Sequence, residues 1–378
     1  MPALPRPVVL LEDGLGRHGR ARLAWGARRR FRLDWDPARA GDLAWLRLLP
    51  RDVPLYGSIA YDLGLPPRAT RRAPPVPQPL AYFFEPEGEV VLDFEAGRVI
   101  RGAIPDAPPG MPPAGLPVRR SAGPPVLLER SFSETSFASA VHRIKEYIAA
   151  GDVYQVNLAL TERFRSGTAP WDLYRRLRAL NPSPWMGFAD FGDWQIISGS
   201  PELLVEVRRG VGSEQGERTV RTRPIAGTRK KTGDRMRDAT MRAELALDEK
   251  EQAEHRMLLD LARNDLGRVC RYGTVSVRER EVVEEYSHVF HLVSEVTGTL
   301  APDRGAADVV AALFPGGTIT GAPKIRAMDV IAELEPVARG AYTGALGWIG
   351  AGELQFNILI RSAVIRDGVA AVQAGAGV

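Results

Sequence analysis

Apolar and polar positions along the chain predict many short strands, followed by a longer segment in which helices and strands are mixed. Residues 1–100 contain apolar runs separated by turn residues, such as "PVVLLED", "RARLAWG" and "AYFFEP". From residue 132 the spacing becomes helical in "SFSETSFASAVHRIKEYIAAGD", where Gly151 marks the end of the predicted helix. Because the elements do not follow a regular βαβ order, the pattern predicts a mixed α+β fold rather than a doubly wound sheet.

Residues 101–125 are rich in Pro, Gly and Ala and have no periodic apolar pattern, which is typical of a linker or surface crossing. We therefore predict an N-terminal β-rich subdomain over 1–125, with this linker at its end, and a larger domain over 126–378. The chain has 378 residues, of which 44% are hydrophobic and 25% are charged, so it is long enough for a large core.

The composition excludes several classes of protein. The net charge of +4 is mildly basic, but no basic run is interleaved with aromatic residues, so we expect no nucleic-acid partner. The single cysteine, Cys270, excludes an internal disulfide and favours a cytoplasmic location. Because the sequence has no signal-peptide pattern and no run of about 18 apolar residues, we expect no membrane association.

Two glutamates interrupt an apolar stripe in "LDEKEQAEHRMLLDLARND", within a single long helix predicted over 234–264. The stripe consists of residues at alternating intervals of four and three: Leu247, Glu251, Glu254, Leu258 and Leu261. A carboxylate on a core-facing stripe loses hydration and needs compensation. Either each glutamate pairs with an arginine, or the two share a divalent cation such as Mg²⁺, which accepts one or two carboxylates plus water or substrate. The absence of an HExxH pattern excludes a zinc protease.

Three further segments contain candidate chemistry. The glycine-rich "FPGGTITGAPK" (314–324) offers free N–H groups to an anion or forms a plain tight turn; Ala322 and Pro323 exclude a P-loop. In "FNILIRSAV" (356–364), Arg361 lies in a buried-looking strand and needs an anion, from a salt bridge or a substrate carboxylate. Glu202 in "SGSPELLVEV" is either an ordinary solvated glutamate or a spare acid, that is, a carboxyl group available to donate a proton. Together these features suit a dicarboxylate substrate that loses a leaving group.

The motifs taken as a set resemble those of the chorismate-utilising enzymes, and specifically component I of anthranilate synthase or aminodeoxychorismate synthase. They occur in the family's order: "GDVYQVNLA", "SGSPELL", "RPIAGTR", "KEQAEHRMLLDLARNDLGRV", "HVFHLVSEVTG", "FPGGTITGAPKIRAMDVI" and "LQFNILIRSAV". The resemblance is dense over 132–378 and weaker in "YGSIAYDLG" and "VVLLEDG". It implies two large β-sheets packed face to face, with helices outside.

The resemblance also implies roles for individual residues. Glu251 and Glu254 match acidic Mg²⁺ positions, and Glu202 matches the general acid that protonates the departing hydroxyl. Gln155 stands where water-adding relatives, the isochorismate and salicylate synthases, have a lysine base; a glutamine cannot deprotonate water, which favours ammonia as the nucleophile. Two further positions match other active-site residues of the family, Thr228 and His291. The remaining positions are expected to contact the substrate: Arg361, Tyr342, Gly375, Thr320, Gly321 and Ala226. Because nothing in the chain resembles a Cys-His-Glu glutaminase, the ammonia is expected from a separate glutaminase subunit.

The regiochemistry of amination has conflicting signals. Ala226 stands where many aminodeoxychorismate synthases have the lysine of "PIKGT", and with "QAGAGV" it favours anthranilate synthase. In contrast, "YQVNL" and "FNILIR" resemble the aminodeoxychorismate branch, and Asp13 of "LLED" replaces the serine associated with tryptophan feedback. We predict 4-amino-4-deoxychorismate, on the route to p-aminobenzoate and folate, as the product, with anthranilate as the alternative.

A third hypothesis is an inactive homologue that binds chorismate or a glutaminase. The family pattern continues beyond "GAGV" with further acidic residues, including the other principal Mg²⁺ ligand, whereas this sequence stops at Val378. The resemblance therefore predicts a catalytic domain without its C-terminal segment, with an Mg²⁺ site that is open on one side and binds the ion weakly.

Overall fold

The computed structural model describes residues 5–14, 19–69, 72–93, 96–102, 123–210 and 216–378. The predicted linker over 101–125 therefore lies almost entirely outside the described residues. The α-helices are α1 (Glu134–Ala149), α2 (Pro170–Leu180), α3 (Arg235–Leu247), α4 (Glu249–Gly267), α5 (Ala306–Leu313) and α6 (Lys324–Leu334). Short 3₁₀ helices span Leu43–Leu48, Tyr61–Gly64 and Gly317–Ile319.

The strands alternate with these helices in an irregular order. They are β1 (Val8–Asp13), β2 (Arg20–Trp25), β3 (Arg29–Leu33), β4 (Leu55–Ile59), β5 (Ala81–Glu85), β6 (Gly88–Asp93), β7 (Arg98–Arg101), β8 (Val126–Arg130), β9 (Gln155–Arg165), β10 (Trp185–Asp190), β11 (Gln195–Ser200), β12 (Leu203–Arg209), β13 (Arg218–Thr222), β14 (Ile225–Lys230), β15 (Ser276–Glu285), β16 (Val289–Thr299), β17 (Gly321–Ala322), β18 (Ala345–Gly350), β19 (Glu353–Ile358), β20 (Ser362–Arg366) and β21 (Val369–Gly377).

Within the described residues these strands form two antiparallel sheets. The first has 11 strands in the order β17-β9-β21-β20-β11-β10-β1-β2-β6-β7, with β8 also paired to β9. The second has 10 strands in the order β14-β16-β13-β12-β19-β18-β4-β5-β3, with β15 also paired to β16. Strands from before and after the predicted linker are thus neighbours in both sheets. The mixed architecture with two large sheets confirms the fold predicted from the sequence.

The core lies between the sheets and beneath the helices. One apolar cluster joins the inner faces of the two sheets, with Val9 and Ile196 from the first and Phe84 and Leu346 from the second. A larger cluster packs α1, α4, α5 and α6 against strands that include β4, β9, β12 and β19. Burial of this apolar area is the main stabilising contribution, and it fixes the loops at the strand ends against one another. None of the described helices combines the length and apolarity that spanning a bilayer requires.

The glutamate-containing segment differs from its prediction. Two helices, α3 and α4, replace the single helix expected over 234–264. Asp248 interrupts the helix because its carboxylate accepts the Glu251 N–H at 3.0 Å and caps α4. Leu247 ends α3 and is 77% exposed, so it does not belong to a buried stripe, whereas Leu258 is buried as expected. The Asp-x-x-Glu spacing is a capping signal that was present in the sequence.

Candidate active site

Glu202 is a buried acid at the turn between β11 and β12. Pro201 separates the two strands, and the Glu202 N–H donates to Ser200 Oγ at 3.2 Å. Its carboxyl group accepts hydrogen bonds from Thr318 Oγ1, at 2.8 Å, and from the Ile225 N–H. Burial raises the pKa of Glu202 to about 7, although the two hydrogen bonds and Arg361 act in the opposite direction. Of the two alternatives from the sequence, the structure therefore favours a spare acid over a solvated glutamate.

Arg361 lies beside this acid, between strands rather than inside one. β19 ends at Ile358 and β20 begins at Ser362, and Arg361 adopts a φ of 51° at the turn, so the prediction of one continuous strand is wrong. Burial lowers the pKa of Arg361. Among the described residues Arg361 forms no salt bridge with a carboxylate, although its charge acts on Glu202. A partly buried cation without a salt-bridged counter-ion is unfavourable, which favours a substrate carboxylate over a structural salt bridge as its partner.

His291 connects Arg361 to the "PIAGT" segment. Arg361 Nη2 lies 3.1 Å from His291 Nε2, and a guanidinium can only donate, so Nε2 is the acceptor and the ring proton is on Nδ1. Nδ1 lies 3.1 Å from both the Gly227 carbonyl oxygen and Thr228 Oγ1. Burial lowers the pKa of His291 although the Gly227 carbonyl acts in the opposite direction, and a neutral ring is also what the acceptor role of Nε2 requires. The structure thus groups four of the predicted residues: Glu202, Thr228, His291 and Arg361.

The two glutamates of α4 face β14 and β9 but have different partners. Glu251 Oε1 accepts from Arg229 Nη1 at 3.2 Å, which is the arginine pairing considered from the sequence. Glu254 Oε1 instead accepts from the Gln155 side-chain amide at 2.5 Å. A Cβ at Gly227 would lie 3.0 Å from Glu251 Oε2, so Glu251 lies against the segment whose carbonyl holds His291. Pairing with an arginine therefore occurs at Glu251 and not at Glu254, and a cation shared by the two glutamates stays a prediction.

The donor set at Glu251 and Glu254 suits a magnesium ion that is shared with substrate. Two hard carboxylates lie one helical turn apart, and the protein hydrogen bonds given above engage one oxygen of each. Mg²⁺ is usually held by one or two carboxylates, with substrate oxygens and water as its other ligands. The described part of the chain contains no group of three or more His, Cys, Asp or Glu side chains placed to hold a metal, so it offers no all-protein cage. A magnesium site here remains an expectation.

Tyr342 and Gly375 form a second contact near the end of β21. The Tyr342 hydroxyl accepts the Gly375 N–H, and burial raises the pKa of the phenol to about 12, so it stays protonated. A Cβ at Gly375 would lie 2.9 Å from the Tyr342 hydroxyl and 2.4 Å from Asn157 Oδ1, so only glycine fits. Asn157 Oδ1 is buried without a hydrogen-bond partner among the described residues. The Tyr342 O–H is therefore available to donate a hydrogen bond to an anion.

The glycine-rich loop is tightly built. Thr320 is fully buried, and its hydroxyl donates to the Gly316 carbonyl at 2.9 Å, which closes the turn. Gly321 has a φ of 137°, and a Cβ there would lie 2.1 Å from the Gln155 carbonyl oxygen. The Thr320 side chain therefore serves the loop, and its predicted contact with substrate stays a prediction. Ala226 is likewise buried in β14, opposite Leu292, and has no group that could attack a substrate.

Two side chains near the acid were missed by sequence reasoning. Thr318 lies in a motif that was singled out for its backbone N–H groups, but only the fold brings its hydroxyl to Glu202. The Tyr286 ring lies 5.1 Å from the His291 ring, edge to face, and its hydroxyl donates to Glu284 at 3.1 Å. No pattern around Tyr286 in the sequence distinguishes it from a core residue.

The two packed sheets thus bring the buried acid Glu202 beside Arg361, which is partly buried and forms no salt bridge with a carboxylate among the described residues. Comparison with known proteins identifies the class. The sequence profile described as chorismate binding enzyme matches residues 26–378, and the chain belongs to this family.

Three similar proteins illustrate the relationship. Aminodeoxychorismate synthase component 1 of Bacillus subtilis is 51% identical over 248 residues, which cover 65% of this chain and 51% of that protein. Anthranilate synthase component 1 of Pseudomonas aeruginosa is 45% identical over 271 residues, which cover 71% of this chain and 54% of that protein. The matches thus span about half of the relatives' length. The crystal structure of anthranilate synthase component I from Streptococcus pneumoniae has a TM-score of 0.78 and 31% identity, covering 95% of this chain and 87% of that one.

Proposed function

We propose that this protein aminates chorismate with ammonia in a magnesium-dependent reaction and releases 4-amino-4-deoxychorismate. The observation that carries the proposal is Arg361, a partly buried cation without a salt-bridged carboxylate among the described residues, placed next to the buried acid Glu202. Chorismate has two carboxylates and a ring hydroxyl. A substrate carboxylate would supply the missing counter-ion of Arg361, while Glu202 would supply a proton to the leaving hydroxyl.

Each residue of the candidate site is assigned a separate role in the reaction. Ammonia forms a new C–N bond as the C–O bond of the hydroxyl breaks, the proton of Glu202 leaves with the hydroxyl as water, and the new ammonium group then loses a proton. A pKa of about 7 keeps much of Glu202 protonated at neutral pH. Arg361 and the Tyr342 hydroxyl hold a carboxylate, and neutral His291 fixes the direction of the guanidinium. When bound at Glu251 and Glu254, Mg²⁺ would hold and polarise the other carboxylate of the substrate.

Gln155 supports ammonia rather than water as the nucleophile. Its amide donates to Glu254, so the side chain is held as a hydrogen-bond donor, and an amide has no basicity with which to activate water. The source of ammonia is proposed to be a separate glutaminase subunit, since the relatives named above are each called component 1.

Anthranilate synthesis is the second candidate, and Ala226 favours it. A buried methyl group at this position cannot form a covalent intermediate with the ring, so the protein would direct ammonia by position alone. Relatives of both kinds share more than 40% identity with the chain, so sequence similarity does not separate the two products.

One assay distinguishes them. The protein is incubated with chorismate, Mg²⁺ and an ammonium salt, with and without a lyase that converts aminodeoxychorismate to p-aminobenzoate. We expect p-aminobenzoate only with the lyase, and no product from Glu202→Gln. Anthranilate fluorescence without the lyase would refute the regiochemistry, and an absence of any chorismate turnover would refute the proposed amination itself.

A further inference from the structure

A buried ion pair lies behind the candidate carboxylate site and has no part in the chemistry described so far. Arg339 is 1% exposed and pairs with Glu335, which follows α6, through Nη2 at 2.7 Å and Nε at 3.0 Å. The guanidinium also donates hydrogen bonds to backbone carbonyl groups. Nη2 also donates to the Asn157 carbonyl at 2.7 Å, and Nη1 donates to the Ile319 carbonyl at 2.8 Å. One side chain thus joins three separate segments.

The two carbonyl groups belong to the backbone that flanks the candidate site. Ile319 precedes Thr320 in the glycine-rich loop, and Asn157 lies in β9, where its N–H donates to the Thr320 carbonyl at 2.8 Å. Glu335 completes the connection, since its Oε1 also accepts the Ala159 N–H at 2.9 Å. The spacing between β9 and the loop is therefore set by the fork of Arg339 and by its counter-ion.

The same residue supports Tyr342 and β21. Its guanidinium carbon lies 5.7 Å from the centre of the Tyr342 ring and 4.8 Å from that of Tyr61, so it is positioned between two aromatic rings. Its carbonyl accepts the Gln373 side-chain amide at 2.7 Å and the Tyr342 N–H at 3.2 Å. Gln373 precedes by two residues the glycine that contacts the Tyr342 hydroxyl.

We propose that Arg339 is a positioning residue that sets the geometry of the pocket for one carboxylate of the substrate. The guanidinium holds the carbonyls of Asn157 and Ile319 toward itself. Buried carbonyl oxygens without a donor are unfavourable, and in the pocket they would repel an anion. Its effect on the substrate is indirect, through the loop and Tyr342. The inference rests on the proposed function in that the bound anion is taken to be chorismate.

Arg339→Lys tests this role. A lysine keeps the charge opposite Glu335, but one ammonium group cannot bridge two carbonyls on different segments with the planar fork of an arginine. We expect the KM for chorismate to rise about tenfold because the loop and Tyr342 shift away from the substrate carboxylate, while the KM for ammonium stays unchanged. Chorismate affinity measured by calorimetry should weaken by the same factor.

The double variant Glu335→Met/Arg339→Met carries the test if the single variant does not fold, because replacing a buried ion pair with apolar residues of similar volume is often neutral for stability. Glu12→Gln is the matched control. It weakens another buried cluster, with Arg178 and Tyr174, and is expected to lower the melting temperature without changing the KM for chorismate.

An unchanged KM for chorismate in a folded variant, or an equal rise in both KM values, would overturn the role of Arg339. A wild-type protein that binds chorismate without turnover would refute the proposed amination only, because the calorimetric comparison would still decide the role of Arg339.

Discussion

The hydrogen bond from Thr318 to Glu202 gives a quantitative test of the proposed acid. Replacing Thr318 with valine keeps the shape of the side chain and removes the hydroxyl that donates to Glu202 Oε1 at 2.8 Å. This bond stabilises the ionised carboxylate and therefore lowers its pKa, so its loss must raise the pKa above the present value of about 7.

The size of the change follows from the strength of such bonds. A hydrogen bond to a charged group contributes about 1.5–3 kcal/mol, and one pKa unit corresponds to about 1.4 kcal/mol. We therefore expect the pKa of Glu202 to rise by about one unit or more in Thr318→Val. At about pH 8, an acid with a pKa of about 8 is half protonated, against roughly a tenth for a pKa of about 7, which is an increase of about fivefold.

The assay is the pH dependence of kcat/KM for chorismate, which reports the pKa of the free enzyme. The concentration of free ammonia is held constant at every pH, so that titration of ammonium does not contribute. Activity of the wild-type protein should fall as pH rises through about 7, because the protonated acid is lost. In the pH profile of kcat/KM, the falling limb of Thr318→Val should lie at higher pH than that of the wild-type protein.

Thr222→Val is the matched control, because the Thr222 hydroxyl donates to the Leu204 carbonyl at 2.7 Å rather than to Glu202. The Thr222→Val variant should have the same falling limb of the pH profile as the wild-type protein. A limb that moves to lower pH in Thr318→Val, or that moves equally in both variants, would refute the assignment of Glu202 as the acid.

Three further predictions concern the substrate, the metal and the cavity between the sheets. Arg361→Lys should raise the KM for chorismate about tenfold because a point charge replaces a planar fork, and an unchanged KM would contradict the carboxylate clamp. Glu254→Gln should raise the Mg²⁺ concentration needed for half-maximal activity, whereas exposed Glu249→Gln on the same helix should not; equal effects would argue against the site. Tryptophan should not inhibit, because Asp13, which lines the cavity of about 1170 Å³ and pairs with Arg208 at 3.3 Å, replaces the serine that the resemblance associates with tryptophan feedback; strong inhibition would favour anthranilate synthesis.

Local patterns in the sequence predicted some features and missed others. The order of seven motifs identified the family, and the family profile over residues 26–378 confirms it. The same resemblance predicted the pair of large sheets. The break at Asp248 was missed although the Asp-x-x-Glu spacing was visible, because apolar periodicity continues across a one-residue interruption and a cap does not disturb it.

The sequence determined which residue types are available and which positions are apolar, because periodicity and motif order are local properties of the chain. Tertiary structure alone decided the partners. Glu251 meets an arginine and Glu254 a glutamine 99 residues away in sequence, although both belong to one helix. Similarly, burial in the folded protein raises the pKa of Glu202, and the hydroxyl that hydrogen-bonds to it comes from a threonine 116 residues later in the chain. Partner choice and desolvation depend on how sheets and helices pack, and no spacing along the chain encodes the dielectric environment that sets a pKa.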